Sequence, residues 1–326
     1  MRSGRKAMVL LVLCGLAFFA FVQWRAASHE AAAMDAYPPS GSFAEVDGTR
    51  IHLTVSGQGP DIIVIHGASG SLRDATFRLV GQLEKNHRVI AVDRPGMGWS
   101  ERPPGYGGVW NTAAEPPALQ ARLLQRATDT LGVTNPVVVG HSYGGAVALA
   151  WALERPDQTA GLVLLAAASN PWPGSLGALY QINASLAGSV FVIPLITALT
   201  PRGLVEDTVS TIFDPQEAPE GYLKHFGPEM TLRRNTMRAN AQQVNGLRPH
   251  IVEMSARYNT LEMPVEIVHG TADTIVPLHI HSEPLSGQIP GAVLTRLEGV
   301  GHMPQHVASE AVLAAIDRAV ARAGLR

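Results

Sequence analysis

Gly140-His141-Ser142-Tyr143-Gly144 stands directly after the apolar run Pro136 to Val139 and directly before a helical stretch that opens at Gly145. A strand that ends in G-x-S-x-G and passes at once into a helix needs a very sharp turn, and the glycines let the two backbones approach. The serine then takes a strained backbone conformation, with its hydroxyl at the carboxyl end of a sheet, where open α/β folds bind ligands. Outward from this turn, apolar runs of strand length alternate with helical stretches. The runs are Ile62 to Ile65, Val89 to Val92, Val137 to Val139 and Leu162 to Leu165; the helical segments lie near Phe77 to Leu83, Leu119 to Leu131 and Ala146 to Leu153. Strands that are apolar throughout are buried on both faces, which predicts parallel pairing under two layers of helices joined by right-handed crossovers. The expected fold class is α/β, a doubly wound, mostly parallel sheet. Ahead of it, Phe43 to Val46 and Arg50 to Val55 flank Asp47-Gly48, a hairpin signal.

The alternation stops after Ala168 and resumes at Val265 to Val268, Val293 to Leu297 and a last amphipathic helix near Ala308 to Ala321. The intervening segment reads as helical pieces broken by proline and glycine. The expected organisation is a core of residues 43–169 and 260–326 carrying a helical cap at 170–259. Leu176 to Leu199 is long and uncharged, but Gly188, Pro194, Gln181, Asn183 and Ser185 interrupt it, so it is read as cap helix and not as a second membrane span. The N-terminus differs from everything after it. Arg2, Arg5 and Lys6 precede the apolar stretch Ala7 to Val22, which Gln23, Trp24 and Arg25 close with an interfacial aromatic and a charge. Residues 1–25 are read as a signal anchor or signal peptide, with small residues for cleavage at Ala26-Ala27-Ser28 or Ala31-Ala32-Ala33. Residues 26–42 are read as a tether. The basic start stays inside, so the body of the chain is expected outside the cytoplasm, on the periplasmic or extracellular side of a membrane.

Composition narrows the partners. Among 326 residues, 46% are hydrophobic and 16% charged, which marks a buried globular core. The net charge of −2 and the lack, in the body of the chain, of a Lys/Arg cluster with interleaved aromatics or a nucleic-acid motif argue against nucleic acid. Cys14 is the one cysteine, so no disulfide can form within the chain. Oligomeric state leaves no signal in the sequence.

A serine hydroxyl is a weak nucleophile at neutral pH and needs a base to take its proton. In folds with this turn the order along the chain is serine, acid, histidine. Gly299-Val300-Gly301-His302-Met303-Pro304 follows the Val293 to Leu297 strand and presents His302 in a glycine-flanked loop. His306 is a rival four residues on, expected at the start of the final helix. A zinc pair of His302 and His306 is disfavoured, because Pro304 interrupts the helix it would need and no H-E-x-x-H motif is present. The acid that orients the imidazole is assigned to Asp273, which ends His269-Gly270-Thr271-Ala272-Asp273 just after the Val265 to Val268 strand. The position after the preceding strand holds Ala166-Ala167-Ala168 and no carboxylate; Asp207 and Asp214, in the insertion, are weaker candidates. Two backbone N–H groups should face the developing oxyanion: that of Tyr143, next to the nucleophile, and that of Ala68 in the loop His66-Gly67-Ala68-Ser69-Gly70.

With Asp93-Arg94-Pro95-Gly96-Met97-Gly98-Trp99-Ser100 added, a D-x-x-G-x-G-x-S segment, the chain resembles the α/β-hydrolase superfamily in its capped form with an HG loop, over roughly residues 43 to 323. The resemblance implies a cap that sets substrate choice and a wall, shaped by the Asp93 segment, that takes no part in chemistry. Epoxide hydrolases and haloalkane dehalogenases of this superfamily use aspartate as nucleophile, and Ser142 at that position argues against both. The expected activity is cleavage of a carboxylic ester-like bond in a small molecule through an acyl-enzyme, with neither metal nor cofactor. The apolar cap favours a hydrophobic acyl or aryl group. C–C bond hydrolysis, lactone opening and cofactor-free perhydrolysis use the same residues and stay open, as does a hydrolase-like binding protein without turnover.

Overall fold

In the computed structural model, which describes residues 2–325, the hairpin and the alternating runs become eight strands: β1 (Ser42–Val46), β2 (Thr49–Ser56), β3 (Asp61–Ile65), β4 (Arg88–Val92), β5 (Val137–His141), β6 (Gly161–Leu165), β7 (Val265–Gly270) and β8 (Val293–Leu297). They form one sheet in the order β1-β2-β4-β3-β5-β6-β7-β8. β2 is antiparallel to β1 and β4, and every pairing from β4 to β8 is parallel. The fold class is thus α/β with a doubly wound, mostly parallel sheet.

Strand periodicity sorts the core into two layers. Ile63 and Ile65 face one cluster, with Trp151 and Leu124 from the covering helices, while Ile62 and Val64 face another, with Leu79 and Ile316. Each fully buried aliphatic side chain of this kind stabilises the fold by about 1.5–3 kcal/mol. The chain reverses its direction of winding at β3, whose neighbours are β4 and β5. The crevice of such a sheet lies at the carboxyl ends of the strands beside that reversal, here those of β3 and β5.

Residues 170–259 contain helical pieces and no strand among the described residues. The apolar stretch that reads as one helix is two, Ala178–Ala184 and a second piece running from Gly188 to Leu199, bent by 92°. Ser185 marks the break, where its Oγ accepts the Gly188 N–H at 3.0 Å.

The N-terminus corrects one expectation. Residues 26–36 are not a tether: a single helix runs Arg2–Ala36. The alanines of this stretch are the strongest helix formers, and their small side chains let the helix lie close to its neighbour. Val22 and Ala26 pack on Ala198 of the helix Ile193–Leu199. Arg25 Nε donates to the Ala198 carbonyl at 2.8 Å and His29 Nδ1 to that of Thr197 at 3.0 Å. Glu30 accepts from Arg234 three times, at 2.7, 2.9 and 2.7 Å. The apolar half, by contrast, is bare, and the 18-residue window that qualifies as a membrane span is only 6% buried.

Candidate active site

Ser142 joins β5 to the helix Tyr143–Glu154 with φ +52° and ψ −118°, a backbone region that L residues rarely occupy. Two glycines make the turn possible. A β-carbon on Gly140 would stand 2.4 Å from the Gly144 carbonyl oxygen, and one on Gly144 would stand 2.3 Å from that of Ile65. Ser142 is held on both sides, its N–H donating to Leu165 O at 2.9 Å and its carbonyl accepting from Ala168 N at 3.1 Å. Ser142 and His302 line the same cavity of about 680 Å³, together with Gly67, Ala68 and His141.

Behind the imidazole lies Asp273. Its Oδ2 accepts from His302 Nδ1 at 2.7 Å, which leaves His302 Nε2 with a lone pair. Oδ2 also accepts from His269 Nε2 at 3.0 Å, while Oδ1 takes the N–H groups of Ile275 and Val276, both at 2.9 Å. Burial by itself would raise the carboxyl pKa, but the hydrogen bonds from His269 and His302 outweigh it and hold the group well below the usual carboxylate range. His269 passes the ordering on. Its Nε2 faces Asp273 and the Val276 carbonyl, both acceptors, so its proton sits there and Nδ1 accepts from the Ser282 hydroxyl at 2.6 Å. Among the described residues the ion-pair partner of His302 is Asp273, while the side chains of Asp207 and Asp214 are exposed on the cap.

The loop beside the serine is braced from below and above. A β-carbon on Gly67 would lie 3.1 Å from Ser142 Cβ, so this loop runs against the serine. Arg94, fully buried, donates to the carbonyls of His66 and Gly67 at 3.1 and 3.0 Å and packs over the Tyr143 ring at 4.3 Å. It faces no carboxylate among these contacts, and burial pushes its pKa down to about 10. His66 Nε2 accepts the Arg94 N–H at 3.0 Å, which requires a neutral ring; burial and the Arg94 charge push its pKa down to about 4. From the cap, Asn240 binds Ser69 at N and Oγ, at 2.7 and 2.9 Å. Ala68 therefore faces the cavity from a loop held at both ends. Tyr143 opens its helix, so its N–H has no intrahelical acceptor.

Three features near the histidine loop were not legible in the sequence. Gln216 of the cap donates to Gly299 O at 2.8 Å and accepts from Gly301 N at 2.9 Å, clasping the loop just before His302. His141 Nε2 donates to the His302 carbonyl at 2.9 Å. Asp74 lines the cavity and gathers Tyr222 Oη at 2.7 Å, His306 Nε2 at 2.8 Å and Gln305 Nε2 at 3.2 Å. These contacts tie the cap to the segment after His302. His306 lies in its own short helix, Pro304–Val307, and not at the start of the final helix. It and His302 thus engage two different carboxylates. No motif links residues so far apart, and only their joint burial reveals the cluster.

A strained serine at a strand-to-helix turn, on the crevice of a doubly wound sheet, belongs to a known class. The chain is a member of the alpha/beta hydrolase fold family, whose profile matches residues 60–309. It is 30% identical over 275 residues to a 2-hydroxymuconate semialdehyde hydrolase of Pseudomonas sp. (strain CF600), covering 82% of this chain and 89% of that one. It is 26% identical to haloalkane dehalogenase 2 of Mycobacterium bovis, covering 86% and 94%. Among solved structures, an alpha/beta hydrolase fold protein from Burkholderia ambifaria superposes with a TM-score of 0.69 at 25% identity, over 85% of this chain and 96% of that chain.

Proposed function

We propose that the chain is a serine hydrolase that cleaves a neutral carboxylic ester through an acyl-enzyme, with Ser142 as nucleophile, His302 as base and Asp273 as the acid that orients it. The observation that carries this reading is the 2.7 Å bond from His302 Nδ1 to Asp273 behind an imidazole that shares its cavity with a strained serine. His302 Nε2 takes the Ser142 proton as Oγ attacks the carbonyl, and the N–H groups of Ala68 and Tyr143 receive the oxyanion. The imidazolium protonates the leaving alcohol, and water repeats the sequence to release the acid. Among its described residues the cavity wall carries no Lys or Arg, and its carboxylate, Asp74, is already paired. That lining favours an uncharged, mostly apolar substrate.

C–C bond hydrolysis is the second reading, favoured by the likeness to the semialdehyde hydrolase. A muconate-type substrate bears a carboxylate, for which this cavity supplies no cation among the described lining residues. Under either reading, the N-terminal helix is a membrane anchor with the hydrolase body outside the cytoplasm.

A fluorophosphonate probe should label Ser142, and Ser142→Ala should lower p-nitrophenyl acetate turnover by about a thousandfold or more with the melting temperature unchanged. Full turnover in that variant ends the serine mechanism; a folded wild type that takes no probe points to a binding protein. Release of an acid from esters but not from vinylogous diketones separates the two hydrolytic readings.

A further inference from the structure

Between Asp157 and Arg202 the chain has no charged residue. Within that interval the cap helices leave large apolar side chains bare: Leu179, Ile182, Leu186, Phe191 and Leu199, followed by Leu204 just beyond it. So many exposed apolar side chains in one charge-free stretch of the chain mark an interaction site. The N-terminal helix identifies what covers it. That helix is uncharged from Ala7 to Trp24, 18 residues that rise about 27 Å, close to the thickness of a bilayer's hydrocarbon core. Its docking on the cap is fixed by Arg234, Glu30, Arg25 and His29, so cap and helix keep one register. In that register Phe191 meets Phe19 edge-on, with ring centroids 6.1 Å apart. Phe19 precedes Trp24 by five residues, which places Phe191 about 7–8 Å along the helix axis from the aromatic that closes the apolar stretch. Apolar faces of interfacial helices reach about 5–10 Å into the same zone.

The cavity opens on this edge. Leu179 and Leu204 line it and are also 58% and 57% exposed, so its rim is part of the bare surface. We propose that the charge-free edge of the cap is seated in the bilayer crossed by the N-terminal helix, and that the cavity takes its substrate from the membrane, a lipid-dissolved neutral ester. This rests on the ester-hydrolase reading and on retention of the N-terminal helix.

The test uses the full chain reconstituted in phosphatidylcholine vesicles. Leu186 and Phe191 lie on the edge but not on the cavity wall, so Leu186→Glu/Phe191→Glu should leave turnover of water-soluble p-nitrophenyl acetate within about twofold and cut turnover of bilayer-dissolved p-nitrophenyl palmitate by about tenfold or more. Equal retention of both activities overturns the proposal. A second measurement needs no activity: a nitroxide on Leu186→Cys in a Cys14→Ser background. Relaxation by oxygen with shielding from a water-soluble nickel chelate is the expected result. Free access of nickel overturns the docking, and shielding from both reagents overturns it in favour of a protein partner. If the wild type cleaves neither ester, the ester reading fails, and the spin label still decides the docking.

Discussion

Ser142 pays for its place with backbone strain. A non-glycine residue at φ +52° costs about 1–3 kcal/mol, and the surrounding hydrogen bonds and glycines hold it there. Asp273 carries the opposite sign of effect, since its folded-state pKa is depressed and its contribution to stability is present above about pH 4 and lost as pH falls through the native value. Asp273→Asn should leave the fold but lower ester turnover by about 10³ to 10⁴, because the amide no longer holds the Nδ1–H tautomer of His302. Asp207→Asn should leave turnover unchanged, and the reverse result would move the acid into the cap. Two further residues set a pH response. His66 and His141 are buried with pKa values pushed down to about 4, by burial first and then by Arg94 and His302 respectively. In the unfolded chain such imidazoles take up protons near pH 6.5. The unfolded state therefore binds more protons between these limits, and stability falls as pH drops from about 6.5 towards 4. Calorimetry at about pH 7.5 and about pH 5 should show a lower melting temperature at the acid value, and His141→Gln should remove part of that drop.

At the scale of elements, the histidine loop depends on groups from three parts of the chain. Its glycines make it pliable, and Gln216 from the cap closes two hydrogen bonds on it. Loss of about 1 kcal/mol of positioning corresponds to roughly a fivefold rate effect. Gln216→Ala should accordingly lower kcat about fivefold with KM nearly unchanged; an unaltered kcat would show that the loop holds its own shape. The serine-side loop is braced instead by Arg94, whose guanidinium binds two loop carbonyls and the side-chain oxygens of Gln120 and Gln243. Arg94→Met leaves those acceptors unpaired in the interior and should destabilise the protein by about 3 kcal/mol or more, measured by chemical denaturation.

Across the whole molecule, the N-terminal helix and the cap act as one body. Glu30 and Arg234 are mostly buried and geometrically well matched, so Glu30→Ala should cost about 1–2 kcal/mol and lower the melting temperature of the full chain by a few degrees. An unchanged melting temperature would mean that the helix is not held to the cap. The mass of the mature protein should include residues 1–36, since cleavage at the alanine triplet would remove Arg25, His29 and Glu30 with their cap contacts.

The sequence by itself determined the sheet. Runs of Val and Ile buried on both faces have one stable arrangement, and G-x-S-x-G between a strand and a helix locates the sharp turn within it. It also nominates Ser142, Asp273 and His302, because each follows a strand; their joint role is the proposal made above. Tertiary structure decided the rest. The alanine-rich segment after Trp24 reads as a linker until a partner surface is present, and helix propensity alone does not say what the helix will dock on. Asp74, His306, Tyr222 and Gln216 belong to contacts that span from 83 to 232 positions, and Arg94 reaches Gln243 across 149. Their pairing arises from burial, which forces polar groups to find partners wherever the fold has brought them, and no local pattern encodes that.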